Sequence, residues 1–158
     1  MSIDSILRIT SDDSEQTERI GAQLARNLQG GEVIELRSDV GGGKTTLVRG
    51  LARGIGINEP ITSPTFTVSR EYQSPARSFV HFDLYRMQEV GVIAHLLAER
   101  AHDPSVITCI EWAGEASEVL PKERVVVTIE KHPTDEQTRH ITIEVPPSLA
   151  YVTKGISV

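Results

Sequence analysis

The hydrophobic and polar positions of this chain predict short strands that alternate, in the first half, with amphipathic helices. Residues 5–10 (SILRIT) predict a first strand, and residues 32–36 (EVIEL) predict a second, short one. Later runs rich in apolar and β-branched residues predict strands at 66–72, 79–84, 106–111, 124–131 and 139–145.

Three segments predict helices. The first follows a Ser/Asp cap at 11–13 and stops at Gly30–Gly31, the second spans 44–56, and the third spans 92–102. The apolar positions that recur on one face are Ile20, Leu24 and Leu28 in the first helix, and Leu47, Leu51 and Ile55 in the second.

The order of these elements predicts an α/β sandwich in which helices flank a mixed central sheet. The early strand–helix alternation favours parallel strands, and the late run of strands adds antiparallel ones. With no internal repeat and no long linker, residues 1–158 are expected to form a single domain.

Composition narrows the functional classes. A hydrophobic fraction of 39% and a charged fraction of 24% are typical of globular proteins, and no stretch approaches the roughly 20 apolar residues of a membrane span. No secretory signal is visible at the amino terminus, and the single cysteine, Cys109, cannot form an internal disulfide, so a cytoplasmic location is expected. The net charge of −6 disfavours a broad nucleic-acid-binding surface.

The run SDVGGGKTT, residues 38–46, lies between a predicted strand and a predicted helix. Gly43, Lys44 and Thr45 fill the second half of the phosphate-binding pattern G-x-x-x-x-G-K-[ST], while Ser38 stands at its first glycine. We expect Gly41 and Gly43 to take positive φ angles, Lys44 to reach the β- and γ-phosphates, and Thr45 to offer a hydroxyl to Mg²⁺. The alternative is a glycine-rich turn capped by threonine. The residues predicted to bind nucleotide are Val40, Gly41, Gly42, Gly43, Lys44, Thr45 and Thr46.

Polar residues interrupt two apolar strands. In FVHFDLYR, His81 and Asp83 would share one strand face, either as a functional pair or as a structural hydrogen bond. In VITCIEW, Glu111 ends an apolar run where P-loop proteins place an acid that supports Mg²⁺; the alternative is a surface carboxylate. Trp112, the only tryptophan, could pack internally, lie beside adenine or contact a partner.

The four motifs SDVGGGKTT, SPT, HFDLYR and IEW occur in an order that resembles the TsaE family, also called YjeE. That resemblance implies a P-loop NTPase-like three-layer sandwich with a mixed central sheet flanked by helices. It also implies an ATPase that binds ATP or ADP with Mg²⁺ and supports threonylcarbamoyladenosine (t6A) modification of tRNA at position 37. It implies work with the TsaD–TsaB heterodimer, contact with tRNA only through those partners, and no membrane.

The resemblance also implies roles for individual residues. Thr65 would be a switch residue near the γ-phosphate, Asp83 would orient or activate water, and Glu111 would support the metal together with Thr45. Arg139 would lie near the nucleotide, and Lys44 would bind phosphate. The loop departs from the family pattern at Ser38, where glycine is usual, and at Gly42, where alanine is usual.

Other functions remain open from the sequence. A small-molecule P-loop kinase would share the loop but needs an acceptor pocket and an arginine-bearing lid. A non-catalytic regulatory subunit could use the nucleotide only as a switch. A GTPase would require an N-K-x-D motif, and the chain has none.

Overall fold

In a computed structural model of the chain, residues 5–39, 41–64, 67–85 and 91–157 are described. The helices are α1 (Ser14–Arg26), α2 (Lys44–Ile55) and α3 (Gly91–Ala101), and 3₁₀ segments span Gly114–Val119 and Pro147–Thr153. The strands are β1 (Ser5–Ser11), β2 (Val33–Arg37), β3 (Ser69–Gln73), β4 (Ser78–Asp83), β5 (Val106–Glu111), β6 (Val125–Lys131) and β7 (Arg139–Val145).

The seven strands of the described residues form one mixed sheet in the order β1–β7–β6–β2–β5–β4–β3. Its centre, β6–β2–β5–β4, is parallel, whereas β3, β7 and β1 pair antiparallel with their neighbours. The carboxyl ends of β2, β4, β5 and β6 therefore meet at one edge of the sheet, where open α/β sheets bind their ligands.

Each face of the sheet has its own apolar core. On one face α1 and α2 pack with residues such as Leu24, Leu47 and Ile34. On the other face, α3 and the segment Gly114–Val119 cover residues such as Phe82 and Ile110. Every residue of β5 is buried, as expected for a central parallel strand covered on both faces. The predicted α/β sandwich with a mixed sheet is thus confirmed.

The boundaries differ from expectation by more than one residue at two places. α1 ends at Arg26 and not at Gly30–Gly31, because the Asn27 side chain donates hydrogen bonds to the carbonyls of Val152 and Lys154 and ties the chain to the carboxyl-terminal segment. β3 begins at Ser69, later than the predicted residue 66, since its pairing with β4 starts there. Across the described residues, no helix is both long enough and apolar enough to cross a membrane.

Candidate nucleotide-binding site

The glycine-rich loop joins β2 to α2, which begins at Lys44. Gly41 and Gly43 have φ angles of 73° and 108°, as the sequence predicted, so main-chain N–H groups can turn towards one point. Gly43 caps α2 without a side-chain hydrogen bond, which leaves the first amides of the helix open to an anion. The loop thus has the backbone form of a phosphate cradle.

Lys44 is held in the loop by main-chain oxygens. Its Nζ donates to the carbonyls of Ser38 and Asp39 at 3.1 Å each. The ammonium also lies 4.3 Å from the centre of the Trp112 ring, within cation–π distance. The lysine is therefore placed beside the loop before any ligand binds.

Burial and nearby carboxylates act oppositely on the Lys44 pKa. Desolvation lowers that pKa, while Glu111, Asp83 and Asp39, in decreasing order of effect, raise it. The net shift is downward, so the ammonium is poorly solvated. An added phosphate would supply a negative charge to a cation that water stabilises incompletely.

Ser38 fits at the first position of the loop. Its Oγ donates to the carbonyl of Asp39 at 3.1 Å. An added Cβ at Gly42 would lie only 1.7 Å from that Oγ. The two departures from the pattern therefore share the same small volume, so that serine at position 38 favours glycine at position 42.

Asp83 and Glu111 end the neighbouring strands β4 and β5 and pair directly in register. The Asp83 Oδ1 accepts from the amide of Tyr85 at 3.1 Å, and its Oδ2 accepts from the hydroxyl of Ser63 at 3.3 Å. Both carboxylates act to raise the pKa of Lys44. The register of the parallel strands thus brings together two acids that lie 28 residues apart in the chain.

His81 shares a strand face with Asp83, as expected from the alternation of β4. Among the described residues it makes no hydrogen bond to Asp83; its Nε2 lies 3.4 Å from the Oε1 of Glu111 instead. The structural His81–Asp83 hydrogen bond considered from the sequence is therefore not formed: both Asp83 oxygens accept from other residues, Tyr85 and Ser63.

A cleft of about 410 Å³ contains the loop and both acids. A second cleft, of about 340 Å³, meets the first at Gly43 and contains Thr46 and Arg139. Arg139 donates from Nε to the carbonyl of Gly42 at 2.9 Å, so its guanidinium braces the loop between the clefts. The first cleft is lined by Gly41, Gly42, Gly43, Lys44, Thr45, Ser63, Asp83, Tyr85, Glu111 and Trp112, and the second also by Ser14, Thr17, Glu136 and Gln137.

A third cleft, of about 550 Å³, reaches Ser38 and Asp39 but contains none of residues 41–46. Its wall carries three carboxylates, Glu35, Asp39 and Glu130, against one arginine, Arg37, so its net charge is negative and disfavours phosphate. We therefore locate the candidate site at the two smaller clefts, where the open amides and Lys44 lie.

The structure adds site residues that the sequence did not single out. An added Cβ at Gly41 would lie 3.5 Å from the Nζ of Lys131, which ends β6, so this lysine adds a positive charge beside the loop to those of Lys44 and Arg139. Tyr85 packs on Trp112 with ring centres 5.0 Å apart. The signal that could have found Lys131 is its position at the carboxyl end of a central strand.

Trp112 lies beside Lys44 in the cleft that contains the loop. It is one of two described non-glycine residues with positive φ, at 58°, a conformation that costs of order 1–3 kcal/mol and persists only where its surroundings impose it. The contacts with Tyr85 and Lys44 supply that constraint. Val40 and Thr65, also predicted site residues, lie outside the described residues.

The donor set fits Mg²⁺ with a phosphate ligand. The described residues contain no cluster of three or more His, Cys, Asp or Glu side chains arranged to hold a metal. Mg²⁺, however, is usually bound by one or two carboxylates together with substrate phosphates and water. Thr45, Asp83 and Glu111 line one cleft with the loop and offer such a set.

Fold and site together define a class: an α/β protein with a mixed seven-stranded sheet, consistent with the P-loop NTPase-like architecture. The sequence model of the family "Threonylcarbamoyl adenosine biosynthesis protein TsaE" matches residues 11–141. The chain belongs to the TsaE family, which takes part in t6A biosynthesis on tRNA.

Relatives and a solved structure agree with this assignment. The chain is 40% identical over 116 residues to the tRNA threonylcarbamoyladenosine biosynthesis protein TsaE of Nostoc sp. PCC 7120, covering 72% of each chain. It is 37% identical over 123 residues to the protein of the same name from Bacillus subtilis, covering 78% of this chain and 77% of that one. The crystal structure of Bacillus subtilis YdiB superposes with a TM-score of 0.77 at 29% identity, covering 99% of this chain and 96% of that one.

Proposed function

We propose that this protein is a Mg²⁺-dependent ATPase that supports t6A modification of tRNA by acting on a TsaD–TsaB-like protein complex in the cytoplasm. The observation that carries the proposal is the convergence of three features in one cleft: a loop with open helix amides, the buried Lys44, and the paired carboxylates of Asp83 and Glu111. Family membership supports the pathway, since the relatives are named for t6A biosynthesis.

In this proposal the nucleotide spans both clefts. The phosphates of ATP or ADP lie over residues 41–46, where main-chain amides and Lys44 donate to them. The nucleoside lies in the second cleft, beside Arg139, and Lys131 adds positive charge at the loop. Val40 and Thr65 complete the site as a loop amide and a switch residue.

Hydrolysis follows from the placement of the acids. Asp83 is fixed by the Tyr85 amide and the Ser63 hydroxyl, so it can accept a hydrogen bond from an attacking water and orient it. Lys44 stabilises the negative charge that develops on the transferred phosphoryl group. Thr45 and Glu111 would hold Mg²⁺, which when bound offsets the charge of the β- and γ-phosphates.

The test combines calorimetry with phosphate release. Wild-type protein should bind ATP and ADP, and release phosphate slowly. Lys44→Ala should stay folded by circular dichroism but lose nucleotide binding and hydrolysis, because the site loses its central cation. Asp83→Asn should mostly keep binding but lower hydrolysis by about 10²–10⁴-fold.

Lys122→Ala removes the same charge at an exposed position away from the loop and serves as the matched control; it should behave as wild type. No binding of either nucleotide at millimolar concentration would contradict the proposal. Transfer of phosphate to a small acceptor in place of water would favour the kinase, and full t6A support by Asp83→Asn without hydrolysis would favour a non-catalytic switch.

A further inference from the structure

We propose that His81 is a positioning residue that fixes the orientation of the Glu111 carboxylate at the metal side of the cleft. This inference rests on the proposed function, because it concerns how Glu111 supports Mg²⁺ beside a bound nucleotide. His81 has no place in the mechanism above, and its surroundings are unusual for a buried histidine.

Both side chains are buried, with 1% of His81 and 5% of Glu111 exposed. Three buried atoms have no hydrogen-bond partner among the described residues: both ring nitrogens of His81 and the Oε1 of Glu111. Most buried polar atoms in proteins are paired, and an exception calls for a specific cause. Here the imidazole of His81 and the Glu111 carboxylate face each other across adjacent strands, so each is a candidate partner of the other.

The register between β4 and β5 brings His81 close to Glu111. His81 pairs with Cys109, and Asp83 pairs with Glu111, so the histidine lies two positions before the acids on the same face. The Glu111 side chain places Oε1 3.4 Å from the Nε2 of His81. That separation is long for a hydrogen bond, and contacts of this kind often tighten only when the ligand is present.

The two oxygens of the Glu111 carboxylate have different surroundings. Oε1 is out of solvent against His81, so the other oxygen is the one available to the cleft that Glu111 lines. Without a hydrogen-bond donor at His81, the Glu111 carboxylate could turn towards the Lys44 ammonium, whose pKa it already acts to raise. A donor at Nε2 holds the free oxygen towards the metal position, as partners behind metal ligands commonly do.

The experiment measures the gain in nucleotide affinity that Mg²⁺ provides, as the ratio of the Kd in EDTA to the Kd in Mg²⁺. Fluorescence of Trp112, the only tryptophan, reports binding because its ring lies over Lys44. His81→Gln keeps an N–H donor near the position of Nε2, whereas His81→Asn places its donor nearer Nδ1. Both substitutions replace the imidazole with a polar amide.

We expect His81→Asn to lower the Mg²⁺-dependent gain by about 10–100-fold, with little change in the Kd in EDTA. His81→Gln should recover most of the gain. Glu111→Gln should also lose the gain, and adding His81→Asn to it should cause no further loss, because both changes remove the same interaction.

Phe82→Leu is the matched control. Phe82 is buried on the same strand but faces the other core, so this variant loses packing without touching Glu111, and its Mg²⁺-dependent gain should be unchanged. Equal losses in His81→Asn and His81→Gln, an equal loss in EDTA, or additivity with Glu111→Gln would each overturn the inference. If His81→Asn does not fold, imidazole ¹⁵N spectra of the wild type decide: a proton on Nε2 is expected, and a proton on Nδ1 alone overturns the inference.

The outcomes separate the inference from the function. Wild-type protein that binds no nucleotide contradicts the proposed function itself. Wild-type protein with a full Mg²⁺-dependent gain that His81→Asn retains contradicts only the role of His81.

Discussion

Single residues explain how the loop keeps its form without the usual first glycine. The Ser38 hydroxyl fills the space in which a side chain at Gly42 would begin, and the Ser38 Cβ and the Asp39 carbonyl would each lie 3.0 Å from an added Cβ there. Contacts this short require a shift of the loop itself, because one of the atoms belongs to the backbone. Serine and glycine at these two positions are therefore coupled.

A double-mutant cycle tests this coupling. Gly42→Ala alone should weaken nucleotide binding by about tenfold, because the Ser38 hydroxyl must leave its hydrogen bond and the loop must shift. Ser38→Gly alone should change the affinity less than tenfold. The double variant should recover most of the loss, with a coupling energy of about 0.5–3 kcal/mol. Additive effects of the two changes in calorimetry would show that the residues act independently.

At the scale of elements, the glycine-rich loop leads into a helix, α2, that lies unusually close to its neighbour α1. An added Cβ at Gly50 of α2 would lie 2.1 Å from the carbonyl oxygen of Glu18 in α1, and one at Gly21 of α1 would lie 2.5 Å from that of Leu47. Only glycine allows this approach of the two backbones. The close contact fixes α2 against α1, and with it the position of the first amides of α2.

We expect Gly50→Ala to destabilise the protein by about 1–3 kcal/mol in urea unfolding, because the helices must separate. This loss should outweigh the gain of about 1 kcal/mol in helix propensity that alanine offers over glycine.

Gly91→Ala in α3 provides the control for this change. An added Cβ at Gly91 meets no atom within 4 Å, so its effect should stay within about 0.5 kcal/mol. A stability change in Gly50→Ala as small as that of the control would contradict the close helix contact.

At the scale of the whole molecule, the net charge of −6 disfavours direct tRNA binding. The chain carries 22 acidic and 16 basic residues. Two of those basic residues, Lys44 and Arg139, contact the loop itself, and Lys131 lies beside it. Acidic residues outnumber basic ones over the whole chain, and the resulting net charge of −6 disfavours binding to a polyanionic backbone.

We therefore expect ATP to strengthen association with a TsaD–TsaB-like complex, and that association to accelerate hydrolysis. A hundredfold shift requires ATP to favour the bound form by about 2.7 kcal/mol, which a few γ-phosphate contacts can supply. Partner affinity is measured with ATP, with ADP and without nucleotide, and tRNA alone serves as a negative control. Equal affinity in all three states without rate stimulation would refute the switch.

Local patterns in the sequence determined the helices, the strands and the loop between β2 and α2, because periodicity and glycine conformation depend on neighbours along the chain. Only the tertiary structure decided that Asp83 and Glu111 meet, that His81 turns to Glu111 and not to Asp83, and that Lys131 joins the loop. These contacts depend on which strands become neighbours and in which register. Strand order is selected by packing on both faces of the sheet at once, which no local stretch of sequence encodes.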